Sequence, residues 1–225
     1  MQYFPVFLDL RGKSCLVAGA GQVGRRKVSR LLQAEPARIT ILDPALEAGQ
    51  MPEPGQQSEL ILLQRKFYPE DLEGVFLVFA CTGDVETNFR ISELCREKGV
   101  LCNSANQAQE SGFILPALHA AGDLQIAVST SGKSPALAAK IKQELGREYG
   151  FEYALWLKLL GRIRSRLLQL ESPSLENREI FRSLLEQRVL HALQKRDKNS
   201  LQEILSNKLP CELRPWVGEF TDGLL

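Results

Sequence analysis

The sequence predicts an α/β fold in which an N-terminal parallel sheet is followed by a small ββα segment and a C-terminal helical region. Short apolar runs alternate with helical patterns up to about residue 102, the order typical of a parallel sheet with crossover helices. Two further strand-like runs and one helical pattern lie between residues 113 and 150. From Phe151 onward, apolar residues recur only at helical spacing.

The first region contains five strand-like runs and two helical patterns. The run at residues 75–81 is almost wholly apolar, as expected of a strand buried on both faces of a parallel sheet. Gly99 follows the second helical pattern and is predicted to end it. The predicted strands are residues 14–18, 39–43, 60–63, 75–81 and 100–102, and the predicted helices are residues 22–32 and 87–98.

The segment at residues 113–150 is predicted to form two strands, 113–118 and 124–129, and a helix over 136–147. A ββα unit of this size would bury little apolar surface alone, so we expect it to be a dimerisation domain that packs against a partner subunit. The helical region has a leucine stripe around Trp156, which we interpret as core. The predicted domains are therefore residues 1–112, 113–150 and 151–225.

Bulk properties exclude several classes of protein. The chain has 28 basic and 27 acidic residues, a net charge of +1, so no overall field favours nucleic acid or membrane partners. No apolar run reaches the length of a membrane span, and residues 1–10 do not resemble a signal peptide. The five cysteines and two histidines form no metal-site spacing, which indicates reduced thiols in a cytoplasmic protein without a resident metal.

A glycine turn follows the first predicted strand and opens the first predicted helix. In this G-x-G-x-x-G turn Gly19 allows a tight turn, Gly21 lets the backbone approach a pyrophosphate, and Gly24 allows close packing of helix on strand. Asp43 ends the next strand, where a carboxylate accepts hydrogen bonds from a ribose diol and repels a 2′-phosphate. The pattern predicts a Rossmann domain that binds NAD, and the predicted cofactor contacts at the turn include Gln22 and Val23.

Two points at this turn stay open. A glycine turn of this kind also occurs in Rossmann-like folds that have lost the ligand. Arg25, Arg26 and Lys27 follow the turn directly, and they either form a solvated first helical turn or include one residue that holds phosphate or a substrate carboxylate.

Several motifs together resemble the precorrin-2 dehydrogenase family, which includes the N-terminal module of sirohaem synthase. The resemblance covers about residues 3–148, and the rest matches only as a helical tail. The matching blocks are Phe4 to Lys13, Arg26-Lys27 after the glycine turn, Ala80 to Asp84 with Asn88, Cys102-Asn103, Phe113 to Pro116, and Ile126 to Pro135.

The resemblance implies oxidation of precorrin-2, a tetrapyrrole, to sirohydrochlorin with reduction of NAD, carried out by a homodimer. Some members of the family also insert ferrous iron to give sirohaem. By the same resemblance, Thr82 and Asn88 are expected to contact the cofactor. The residues expected to contact the substrate are Asn103, Ser129, Ser131, Lys133 and Ser134, although the serines also fit turn and helix-cap roles.

One departure from the family concerns acid–base chemistry. The family has an aspartate three residues after the asparagine that matches Asn103, and this chain has Asn106 there. Asn106 accepts no proton at neutral pH but can orient a substrate. The base role is therefore vacant, filled by another group such as His119, or unnecessary. The alternatives to a dehydrogenase are a bifunctional dehydrogenase and ferrochelatase, or a non-catalytic NAD- or tetrapyrrole-binding regulator.

Overall fold

The computed structural model describes residues 3–46, 49, 51–53, 55, 57–105, 111–170 and 174–225, with the backbone alone for 174–177. The chain divides into two compact units, Met1–Leu115 and Pro116–Leu225. The predicted ββα segment and helical region therefore lie in one unit, and the three-domain division stays a prediction.

The first unit is a five-stranded parallel sheet with the strand order β3-β2-β1-β4-β5. The order reverses between β1 and β4, which makes the carboxyl ends of these strands the topological switch point where such folds bind ligands. The predicted α/β class and Rossmann sheet are confirmed. The elements are β1 (Ser14–Ala18), α1 (Gln22–Leu32), β2 (Arg38–Leu42), β3 (Glu59–Leu63), β4 (Leu77–Ala80), α2 (Val85–Lys98) and β5 (Leu101–Ser104).

Alternation of side chains along the strands gives this sheet two apolar faces. Val17 and Phe79 point to the face covered by α1, whereas Leu16 and Val78 point to the face covered by α2. All four residues of β4 are buried, as predicted for a strand covered on both faces. Gly99 ends α2 in the left-handed conformation with φ +68°, which confirms the predicted helix stop.

The second unit begins with an antiparallel hairpin of β6 (Ala117–Ala121) and β7 (Leu124–Val128), followed by α3 (Pro135–Glu148). The predicted start of the first strand at residue 113 is wrong. Phe113 and Leu115 instead pack on the core of the first unit, where the Phe113 ring meets Phe79 edge to face at 5.9 Å between centroids. The apolar residues just before the hairpin thus pack on the core beside the parallel sheet and do not form a strand.

Five helices complete the second unit: α4 (Phe151–Gln169), α5 (Ser174–Leu184), α6 (Gln187–Gln194), α7 (Lys198–Lys208) and α8 (Val217–Thr221). The apolar residues between 179 and 194 recur at helical spacing, yet the chain breaks between α5 and α6. On a continuous helix, Leu184 and Leu193 would lie about 180° apart at roughly 100° per residue. Both are buried in the same core, so the break allows both to face it.

The cysteine thiols are all free, as the sequence indicates. Cys15, Cys81, Cys95 and Cys102 are buried and Cys211 is exposed. Burial raises the pKa of the Cys15 and Cys81 thiols to about 11, so these two stay protonated at neutral pH. None of the helices in the described part of the chain is both long and apolar enough to span a membrane.

Candidate cofactor and substrate sites

The three motif glycines have different steric surroundings at the switch point. Gly19 has φ +101°, and a Cβ there would overlap the carbonyl group of Cys81. A Cβ at Gly24 would overlap the carbonyl oxygen of Gly19. A Cβ at Gly21 would meet no atom of the described residues within 4 Å. Gly19 and Gly24 are therefore required by packing, whereas Gly21 faces open space that a pyrophosphate group fits.

The amino-terminal end of α1 opens at the same place. Gly21 is the N-cap residue and no side chain caps the helix. The first helical hydrogen bond runs from the Arg25 amide to the Gly21 carbonyl at 3.0 Å, so the preceding amides have no partner within the helix. Gln22 and Val23 are exposed there. Free amides and the positive end of the helix dipole suit an anion.

Asp43 lies directly after β2 and is bonded to the glycine turn. Its Oδ2 accepts a hydrogen bond from the Ala20 amide at 2.7 Å, and its Oδ1 accepts one from the Ala45 amide at 2.8 Å. Each carboxylate oxygen has a second lone pair, so the residue can accept further hydrogen bonds from a ribose diol. Asp43 therefore stands where the sequence predicts it, at the carboxyl edge of the sheet beside the turn.

Thr82 and Asn88 form a closed set of hydrogen bonds at the start of α2. The Asn88 amide oxygen accepts from the Thr82 backbone N–H at 3.0 Å and from its hydroxyl at 2.8 Å, and the Asn88 Nδ2 donates to the Thr82 carbonyl at 3.0 Å. Asn88 is 1% exposed. Asn88 thus fixes the loop that follows β4, and the backbone of this loop at Cys81 and Thr82 packs against Gly19. We call Gly19–Gly24, Asp43, Thr82 and Asn88 together the glycine crevice.

Asn103 near the end of β5 is almost fully buried and uses its whole amide group. Its Oδ1 accepts a hydrogen bond from Lys27 Nζ at 3.2 Å, and its Nδ2 donates to the Phe113 carbonyl at 3.0 Å. Lys27 also lies over the Phe79 ring, 5.0 Å from its centroid. Burial lowers the pKa of the Lys27 ammonium below its ordinary value. Asn103 is therefore held in place by Lys27 of α1 and by the backbone at Phe113.

Sequence reasoning missed the role of Lys27, although its spacing offered a signal. Lys27 is three residues after Gly24 and four before Leu31, and both of these lie on the buried face of α1. A lysine on that face is half-buried and needs a partner, which Asn103 supplies from 76 residues away along the chain.

The loop after β5 is closed by hydrogen bonds between its two ends. The Ser104 amide donates to the Ser111 hydroxyl at 3.0 Å, and the Gly112 amide donates to the Cys102 carbonyl at 2.9 Å. Asn106 lies between these residues in sequence and outside the described residues. Within the described part of the chain, the buried Ser104 hydroxyl has no hydrogen-bond partner.

The remaining predicted substrate contacts lie in the second unit, on the turn between β7 and α3 that we call the serine loop (Ser129–Ser134). The Ser129 hydroxyl accepts from the Ser131 amide at 3.1 Å, and the Ser134 hydroxyl caps α3 by accepting from the Leu137 amide at 3.2 Å. Ser131 takes the left-handed conformation with φ +52°. Ser129, Ser131 and Lys133 are exposed, and Lys133 has no ion-pair partner among the described residues.

His119 lies on β6 and bonds to the end of α3. Its Nε2 is 2.7 Å from the Tyr149 carbonyl oxygen. Because a carbonyl oxygen only accepts, Nε2 carries the proton and Nδ1 is the nitrogen left to accept one. The ring thus connects the hairpin to α3, and any proton transfer by His119 would use Nδ1. Across the part of the chain with described side chains, no three His, Cys, Asp or Glu residues cluster as metal ligands.

The chain is similar to proteins of sirohaem biosynthesis over most of its length. An NAD(P)-binding family matches residues 6–117, and the family of sirohaem biosynthesis protein central domains matches residues 121–148. The siroheme synthase of Thioalkalivibrio sulfidiphilus is 33% identical over 217 residues, and that of Nitrosococcus oceani is 34% identical over 169 residues.

These alignments cover 95% and 75% of this chain but only 43% and 36% of the two relatives, so the chain spans less than half the length of each. Among solved structures, SirC, a precorrin-2 dehydrogenase, matches with a TM-score of 0.70 and 27% identity. That match covers 90% of this chain and 98% of SirC.

Proposed function

The chain belongs to the precorrin-2 dehydrogenase family of sirohaem biosynthesis, and we propose that it oxidises precorrin-2 to sirohydrochlorin with NAD as the hydride acceptor. The observation that carries the proposal is the match to SirC over 98% of SirC's length, in a chain that has the complete glycine crevice. In this reaction the macrocycle loses a hydride and a proton, and bound NAD takes the hydride.

The glycine crevice is the part of the chain that would hold NAD. The open space at Gly21 and the uncapped start of α1 fit the pyrophosphate, and Asp43 fits the adenosine ribose diol. A 2′-phosphate at that ribose would meet the Asp43 carboxylate, whose two oxygens are already aimed by Ala20 and Ala45. These contacts support NAD over NADP.

The serine loop is the part that we propose binds the substrate. Lys133 is exposed and unpaired, which suits a contact with one of the substrate's carboxylates, and Ser129 and Ser131 present exposed hydroxyls. Ser134 acts through the loop, because its hydroxyl already caps α3. Asn103 likewise acts indirectly in this proposal, because its bond to the Phe113 carbonyl fixes described residues that flank Asn106 in sequence.

His119 is the candidate proton acceptor that the described residues offer. Its Nε2 donates to the Tyr149 carbonyl oxygen, so Nδ1 is the ring nitrogen that could accept a proton. The protein's main task in this reaction is to align hydride donor and acceptor, since aromatisation of the macrocycle supplies driving force.

The proposal is tested by incubating the purified chain anaerobically with precorrin-2 and NAD, with and without ferrous iron. We expect sirohydrochlorin and NADH without iron, and little additional sirohaem with iron. Rapid sirohaem formation would favour a bifunctional enzyme, and absence of both products would favour a non-catalytic binding protein.

We also propose that the chain forms a homodimer through the second unit. Between residues 116 and 150 the only buried apolar side chains are those of Ala121 and Ala138, so the hairpin and α3 have almost no core of their own. Leu137 and Phe151 are 48% and 66% exposed nearby in sequence. Sedimentation should give about twice the 25.2 kDa chain mass, and a monomer at micromolar concentration would contradict this proposal.

A further inference from the structure

Arg25, Arg26 and Lys27 follow the first three residues of α1, and the first turn of this helix has no acidic residue. Positive charge there is disfavoured by the helix dipole, whose amino-terminal end is itself positive. The three side chains have different surroundings. Arg26 is exposed and has no partner among the described residues, Lys27 bonds to Asn103, and Arg25 is half-buried and turned back toward the glycine turn.

The Arg25 side chain bonds to the backbone of the turn rather than extending into solvent. Its Nε donates to the Ala20 carbonyl oxygen at 2.8 Å. On the other side of the same residue, the Ala20 amide donates to Asp43 at 2.7 Å. The two peptide groups that flank Ala20 are therefore each oriented by a charged side chain, one from α1 and one from the end of β2.

This bond fixes the direction of the Gly21 amide. The peptide group between Ala20 and Gly21 is planar and trans, so its N–H points opposite to its C=O and away from Arg25. Glycine has unusually free φ and ψ angles, and none of the residues that the structure describes packs within 4 Å of the ideal Cβ position of Gly21. Without a restraint on the carbonyl, this peptide can rotate and turn its N–H away from a ligand.

We infer that Arg25 is a positioning residue for cofactor binding, which holds the 20–21 peptide so that the Gly21 N–H faces the pyrophosphate of the dinucleotide. The inference rests on the NAD binding of the proposed function, and it assigns Arg25 a role through the backbone rather than through direct contact of its charge with phosphate.

The test compares Arg25→Met, Arg25→Lys and the matched control Arg26→Met in the full chain, with affinities measured for NAD, ADP-ribose and adenosine. Met removes the donor and the charge. Lys keeps the charge but places a methylene group where Nε stands. Arg26→Met removes the same charge one residue away. Adenosine lacks the pyrophosphate, and its weak binding is followed by ligand-observed NMR.

Both Arg25 variants should bind NAD and ADP-ribose about tenfold more weakly, the order expected for loss of a charge-assisted hydrogen bond. Adenosine binding and the melting temperature should stay near wild type, and Arg26→Met should bind all three ligands like wild type. Full affinity in Arg25→Lys would show that only the charge matters and would overturn the inference. Equal losses for adenosine, or an Arg25→Met variant no weaker than Arg26→Met, would overturn it too. A wild-type chain that binds no NAD would instead contradict the proposed function, and this inference with it.

Discussion

The glycine crevice and the serine loop differ in how their polar groups are held. In the crevice, hydrogen bonds join residues from separate elements, such as Asp43 to Ala20 across 23 residues and Lys27 to Asn103 near its edge across 76. In the serine loop, the bonds span five residues or fewer, as between Ser129 and Ser131. The crevice is built by the tertiary fold of the first unit, whereas the serine loop is shaped by its own turn.

This difference separates two kinds of binding site. The crevice residues are held in place by the folded sheet. We therefore expect substitutions there to affect both the stability of the first unit and the proposed binding of NAD. The serine loop presents exposed groups that little else in the described chain restrains, so its residues should affect substrate binding alone.

The largest effect is expected inside the crevice, from two alanine substitutions only three residues apart. Gly24→Ala forces a Cβ onto the Gly19 carbonyl oxygen and should destabilise the first unit by about 3 kcal/mol or more, with loss of NAD binding. Gly21→Ala places its Cβ in open space and should keep the wild-type melting temperature while NAD binding weakens strongly. Thermal unfolding and NAD titration of both variants check this.

The contrast between the two variants is the informative result. If Gly21→Ala unfolds as readily as Gly24→Ala, the open space at Gly21 is not a ligand space. If Gly21→Ala binds NAD like the wild type, the pyrophosphate does not approach the turn there.

The next effect concerns Asn106, which stands where the family has an aspartate. Metal insertion must remove two pyrrole protons, and general-base help is typically worth about 10²–10⁴-fold. Asn106→Asp should therefore raise iron insertion by at least the lower figure and change NAD-dependent oxidation little. Parallel assays of both reactions, with Asn103 unchanged, check it. Iron insertion in the natural chain as fast as in the variant would make position 106 irrelevant.

A smaller effect is expected at Asp43. Asp43→Ala removes the charge-assisted hydrogen bonds to the ribose and should weaken NAD binding roughly 10- to 100-fold. It should weaken NADP less, because the repulsion of the 2′-phosphate is lost as well. The ratio of the two dissociation constants is the measurement, since damage to the Ala20 contact affects both cofactors equally. Tighter binding of NADP than NAD by the wild type would count against the assignment of NAD.

The smallest effect is expected in the serine loop. Lys133→Ala should raise the KM for precorrin-2 several-fold, about the worth of one exposed ion pair, and leave the dissociation constant of NAD unchanged. Lys142→Ala, which removes another exposed lysine from the same unit, is the matched control. An equal increase in KM for both variants would show that Lys133 contributes only to the overall positive charge and does not contact the substrate.

The sequence was sufficient to predict the glycine turn and α1, because their determinants are local. The glycine turn and the apolar spacing predict α1 at Gln22–Leu32, and the structure has the same bounds. Asp43 is identified by its position after a β-branched strand. The backbone conformations that these residues require, such as φ +101° at Gly19, depend on neighbours close in sequence or in the sheet.

What the sequence could not supply depends on contacts between distant segments. Tertiary packing determines that Arg25 bonds to Ala20 and that Lys27 bonds to Asn103. From the sequence, the basic residues after the glycine turn could equally well be solvated or contact a ligand. The break at residues 185–186 has no glycine or proline to mark it, and it follows from burying Leu184 and Leu193 in one core. The apolar character of Phe113 led to its prediction as part of a strand. In the structure its ring instead packs edge to face against Phe79.

We propose that this chain transfers a hydride from precorrin-2 to NAD held in the glycine crevice. A single-turnover reaction with enzyme in excess, without oxygen or iron, tests it most directly by measuring NADH and sirohydrochlorin together. We predict that the two products appear at the same rate and in equal amounts, and that Gly21→Ala slows both at limiting NAD. Sirohydrochlorin formed without matching NADH, or formed equally well when NAD is omitted, would contradict the claim.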